Sequence, residues 1–98
     1  MVLVRIRDHV QYAYTYEEGQ LIYDLIAPAL IRGEVVTVSF DDIKAVPSSF
    51  INASLLQLAD HLSLDEIRSR LQIVDSTHFI NELINRGFQT ISQKRTGE

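Results

Sequence analysis

Ninety-eight residues, 46% hydrophobic and 22% charged, suffice for one modest core and not for two. A net charge of −4 argues against a nucleic-acid surface, and the absence of cysteine removes disulfides, thiol nucleophiles and cysteine-ligated metals. No run approaches the roughly 20 apolar residues of a membrane helix, and Met1–Arg7 is too short and too charged for a signal peptide. The expectation is a cytoplasmic protein with no membrane partner.

Val2, Val4 and Ile6 alternate with Leu3, Arg5 and Arg7, the period of a strand with one face on a core. The two arginines suit the edge of a sheet. Val10–Tyr14 continues in an extended style and reads as a second short strand. Thr15 and Glu18 have the spacing of a capping box, and Leu21, Ile22, Leu25, Ile26, Ala29 and Leu30 then follow helical intervals. Pro28 predicts a kink or break near Ile26, and Gly33 closes the helix as its C′ residue.

Val35–Phe40, bounded by Gly33 and by Asp41-Asp42, reads as a buried strand. Phe50, Ile51, Leu55, Leu58, Ala59 and Leu62 line one side of a second helix. Ser63 and Glu66 form a second capping box for a short helix through Arg70, and Leu71–Val74 is a further buried strand. Asp75, Ser76 and Thr77 supply caps for a helix carrying Phe79, Ile80, Leu83 and Ile84 that closes at Gly87. Phe88–Ser92 reads as a final strand or an extended surface segment, and 93–98 as a frayed tail. The alternation predicts one α/β domain over residues 1–98, a small, mostly parallel sheet with helices packed against it.

The candidate site is the junction between the central strand and the second helix. Ser48 and Ser49 there read either as helix caps or as phosphoacceptors, since a phosphate is tolerated by the positive end of the helix dipole. Asp41 and Asp42 form a solvated turn or, less economically, a hard-cation site without a third ligand. His9, His61 and His78 show no metal-binding or catalytic spacing. There is no G-x-S-x-G elbow and no glycine-rich phosphate loop, so no enzymatic activity, metal or cofactor is expected. Tyr12, Tyr14, Tyr16 and Tyr23 read equally as a cover for the core and as a partner-binding face.

Val36–Ile43 followed by Val46–Asn52 resembles a bacterial STAS-like domain family, in which a hydrophobic strand ends in an aspartate-bearing segment and a Ser-Ser-Phe-like group opens the next helix. The similarity extends from the Thr15–Glu18 helix start to Leu71–Val74. More distantly the chain is similar to the STAS domains of anti-sigma factor antagonists, whose Asp-Ser-Ser/Thr-Gly motif at this junction is phosphorylated by a GHKL-type kinase that is also the binding partner. The resemblance implies Ser48 or, with a one-residue shift, Ser49 as phosphoacceptor. Pro47 stands in place of that motif's Asp and Phe50 in place of its Gly, and no long C-terminal helix is evident. It further implies a non-enzymatic regulatory protein that docks on a GHKL-type ATP-binding or kinase partner through Asp41, Asp42, Pro47, Phe50 and Asn52. The alternatives are a constitutive interaction subunit or a phage- or defence-related accessory protein without a phosphoswitch, with a homodimer as one form of it. A ligand sensor or enzyme is the third reading, and no convergent polar set supports it.

Overall fold

The β-branched runs pair as three parallel strands, β1 (Val2–Arg5), β2 (Val36–Ser39) and β3 (Leu71–Val74), in the order β1-β2-β3. This computed structural model describes residues 2–96. The register sets Val4 beside Val38 and Val38 beside Ile73, so Val2, Val4, Val36, Val38, Leu71 and Ile73 share one face. Among the described residues four α-helices follow, α1 (Tyr16–Ile31), α2 (Ser48–Ser54), α3 (Leu64–Arg70) and α4 (His78–Thr96), with 3-10 turns over Ile6–Asp8, directly after β1, and over Leu56–Asp60. Their apolar side chains, among them Ile22, Ile26, Phe50, Ile67 and Ile80, join the valines of that face in one core cluster. The opposite face carries Leu3, Thr37, Gln72, Arg5, Ser39 and Val74. The α/β expectation is borne out, with every observed strand pair parallel.

Both capping boxes form as read. Thr15 Oγ1 accepts from the Glu18 N–H and Ser63 Oγ from the Glu66 N–H, each at 3.1 Å, while each glutamate reaches back to its cap. Helix α1 ends in a full Schellman motif: Glu34 N–H donates to Ala29 O, Gly33 N–H donates to Leu30 O, and Gly33 lies at φ +93°. Pro28 does not break α1, contrary to expectation. Pro28 and Asp24 are both exposed, so the carbonyl that loses its donor lies on the solvent side of the helix.

Five other expectations change. Leu71–Val74 is a strand but not a buried one: it lies at the edge of the sheet with Gln72 and Val74 exposed. Residues 10–14 form no strand; Val10 and Ala13 are buried anchors of an irregular segment, with Ala13 at φ +59°. The second helix stops at Ser54, whose Oγ donates to Phe50 O at 2.7 Å, and continues as a 3-10 turn. Gly87 does not end the last helix, and Phe88–Ser92 is no strand: α4 runs on through Thr96, a long C-terminal helix that enters the segment read as a tail. Residues 97 and 98 lie outside the described residues.

Glycine at position 87 admits the Leu56 side chain, which a Cβ there would strike. Gly19 does the same between α1 and α2, where a Cβ would lie 2.7 Å from Phe50 O and 2.8 Å from Ala53 Cβ. The obstacle at Gly19 is backbone, whereas at Gly87 it is the end of a flexible side chain. Gly19→Ala is therefore expected to destabilise the fold by about 1–3 kcal/mol. Gly87→Ala should cost clearly less, because Leu56 can turn and alanine favours the helix by about 1 kcal/mol. Urea unfolding of the two variants checks that order.

The carboxyls of both boxes titrate below the ordinary glutamate range. Glu18 is held down chiefly by the Tyr14 N–H, with Thr15 and Tyr12 adding to it, and Glu66 chiefly by the Ser63 N–H. A carboxyl lowered in the folded state contributes stability above its unfolded value, and that contribution disappears as pH falls through the folded value. Glu18→Gln should be less stable than wild type at pH 7, and the gap should narrow once the pH drops below 4.5. Urea midpoints measured at several pH values from neutral to acid check this.

Candidate functional site

The loop after β2 is extended pairing that turns into a pinned surface. Phe40 N–H donates to Val74 O at 3.1 Å, and Ile43 N–H returns to Phe40 O at 2.9 Å with Asp42 at φ +66°. Ile43, Val46 and Phe50 are buried, while Asp41, Asp42, Lys44, Ala45, Pro47, Ser48 and Ser49 are exposed. Three apolar anchors thus hold a polar loop against the core from beneath. Phe50 is one of them, fully buried, so it is not the contact residue that the sequence reading made it.

The two acids face the end of β1. Asp41 Oδ2 accepts from Arg5 Nε and Nη2 at 3.1 and 3.0 Å, and Asp42 pairs with Arg7 at 3.5 Å. Arg5 also donates to Asp8 at 2.9 Å. These pairs are exposed and contribute little stability, but they occupy both acids with cations. Among the described residues no three metal-ligating side chains converge.

Three residues that sequence reasoning did not assign to the site hold the loop in place. Ser39 Oγ donates to Asp75 Oδ2 at 2.9 Å and accepts from Asp41 N–H at 3.2 Å, joining the carboxyl ends of β2 and β3. Thr77 Oγ1 donates to Lys44 O at 2.8 Å and accepts from Ile80 N–H at 3.2 Å, so one hydroxyl caps α4 and tethers the loop. Of the three caps expected for α4, Thr77 fills that role. Asp75 instead serves Ser39, and Ser76 donates to Asn81. The alternation of β2 places Ser39 on the polar face, but its partner is 36 residues away and leaves no local signal.

Ser48 and Ser49 are not caps. Pro47 occupies the N-cap of α2 without a side-chain hydrogen bond, and the serines are its first two helical residues. Both are exposed, and neither hydroxyl has a hydrogen-bond partner among the described residues. Ser48 and Asn52, one turn apart, line a shallow groove of about 220 Å³ whose far wall is Leu83 and Arg86 of α4; Ser49 lies outside it. Arg86 is only loosely engaged, with Glu82 at 3.8 Å. The site residues therefore fall into two groups, Asp41 and Asp42 at the β1 end and Ser48 and Asn52 at the α4 side.

The histidines are exposed and do not join either group. Tyr12, Tyr14 and Tyr16 are exposed, with the first two rings stacked at 5.7 Å, whereas Tyr23 packs on the core. No helix among the described residues is long and apolar enough to cross a membrane.

A family model described as a STAS-like domain of unknown function (DUF4325) matches residues 18–80, from the first turn of α1 into α4. No curated protein and no solved structure matches the chain.

Ser48→Ala and Ser49→Ala, which remove no protein hydrogen bond, are each expected to change stability by less than about 0.5 kcal/mol. Thr77→Ala, which removes a cap and a tether, should cost about 1–2 kcal/mol. Thermal unfolding of the three variants checks the contrast.

Proposed function

The chain belongs to this STAS-like family, and from that premise we propose that it is a small regulatory protein that works by docking on another protein. The contact surface is the loop after β2 and the front of α2, with Asp41, Asp42, Pro47, Ser48, Ser49 and Asn52 on it. The partner is a GHKL-type ATP-binding or kinase protein, and a serine phosphate switches the contact. The observation that carries this reading is the pair of exposed hydroxyls of Ser48 and Ser49, without hydrogen-bond partners among the described residues, at the start of a helix whose approach loop is held by buried anchors. A kinase can reach them, and their modification disturbs no bond inside the protein.

Ser48 is the better acceptor of the two, because it shares its groove with Arg86. A phosphate there brings a charge of about −1.5 to −2 and three acceptor oxygens to a guanidinium and to the positive end of α2. A partner seated over the loop meets that charge as a desolvation cost and as repulsion from its own acids, and is released.

One observation favours a second reading, a constitutive interaction subunit without a switch. Pro47 and the buried Phe50 occupy the positions where the phosphorylated motif has Asp and Gly.

The test is affinity capture from the native host lysate with wild type and with Ser48→Asp/Ser49→Asp as baits, bound proteins being identified by mass spectrometry. An ATP-binding partner held by wild type and lost from the double variant is the expected result. The same partner on both baits overturns the switch and favours the second reading.

A further inference from the structure

A three-stranded sheet has two open edges, and here they are unlike. The β1 edge carries Arg5 and is followed by Arg7, charges of the kind that discourage strand addition. The β3 edge carries Leu71, Gln72, Ile73 and Val74 and no charge. Its hydrogen-bonding phase follows from the bond Phe40 N–H to Val74 O, which turns the backbone groups of Val74 and Gln72 toward β2. The N–H and C=O of Ile73 therefore point outward. Among the described residues they have no partner.

Beneath that edge, on the face where the helices pack, lies a groove of about 510 Å³. Leu64 and Ile67 of α3, Leu71 and Ile73 of β3, and Ile84 and Phe88 of α4 wall it. Its volume lies within the range of about 300–1,000 Å³ typical of ligand clefts. A strand laid beside β3 projects alternate side chains onto this face, so its apolar residues enter the groove while its backbone pairs with Ile73. The groove lining holds one charge, Arg68, and no carboxylate, in a chain whose net charge is −4. Arg68 forms no ion pair among the described residues.

We propose that the β3 edge and the α3–α4 groove together take up an extended segment of a partner protein, apolar at alternate positions and bearing a carboxylate that meets Arg68. The segment becomes a fourth strand. This site is separate from the Ser48 loop and stands whether or not that loop is switched.

The probe is a synthetic peptide of alternating valine and threonine ending in glutamate, titrated into the isotopically labelled full chain and followed by amide NMR. Saturable shifts at Ile73 and the groove residues, with slowed exchange of the Ile73 amide, are expected. Arg68→Glu should weaken the peptide about fivefold, the size of one exposed ion pair, and a lysine-ended peptide should recover that loss on the variant. Arg68 is exposed, so the variant keeps its fold, which its own amide spectrum verifies. Absence of saturable shifts overturns the proposal, as do shifts centred on β1 or an affinity indifferent to Arg68→Glu. A concentration-dependent Ile73 shift without peptide also overturns it, because the edge then belongs to a second copy of the chain.

Discussion

The burial of β2 between two parallel neighbours is the constraint on which the other features rest. Every residue of Val36–Ser39 is buried, including two with hydroxyls. Parallel pairing on both sides requires a crossover before and after the strand, which places α1 on one connection and α2 with α3 on the other. The valines of β2 then meet those helices. Thr37 and Ser39 face the other way, where each finds a partner on or just beyond β3: Gln72 Oε1 at 3.2 Å and Asp75 Oδ2 at 2.9 Å. A polar group in a buried strand without such a partner would oppose folding.

That arrangement carries through to the loop. Ser39 is bonded at once to Asp75 and to the Asp41 N–H, so the point where the chain leaves the sheet is tied to the end of the next strand. Thr77 ties the middle of the loop to α4. Buried Ile43, Val46 and Phe50 hold it to the core. The exposed hydroxyls and acids are thus presented from a frame that does not depend on them. Such separation suits a recognition surface, because its chemistry can change without disturbing the fold. Many open α/β sheets bind ligands in a crevice where strand order reverses. The order β1-β2-β3 has no reversal, so the surface here is a loop and a helix start.

Close helix contacts complete the frame. Gly19 lets the backbone of α2 approach α1, and Gly87 lets Leu56 seat on α4. Both glycines lie inside helices, where their conformational freedom costs stability, and close approach is the compensation. The helices cover one face of the sheet and leave its two edges unlike in character: β1 carries Arg5, whereas β3 is uncharged between Arg70 and Asp75 and has a groove beside it.

Local rules made much of the architecture legible in the sequence. The capping boxes at Thr15 and Ser63, the Gly33 terminus, the strand character of 35–40 and 71–74, and the α/β order all depend on neighbours within a few residues, and they stand as read. The expectations that changed depend on contacts made across the fold. Gly87 looks like a helix end until Leu56 is seen against it, and Pro28 looks like a break until its solvent-facing position is known. Phe50 looks like part of a surface motif, but the core takes it. For the site, the sequence determined that two hydroxyls follow the central strand near a helix start. Only the tertiary structure decided that Pro47 sits at the cap, that both hydroxyls are unbonded, and that Arg86 faces Ser48 across a groove. The physical reason is range: propensity and capping act over one or two turns, whereas burial and side-chain pairing are settled by segments tens of residues apart.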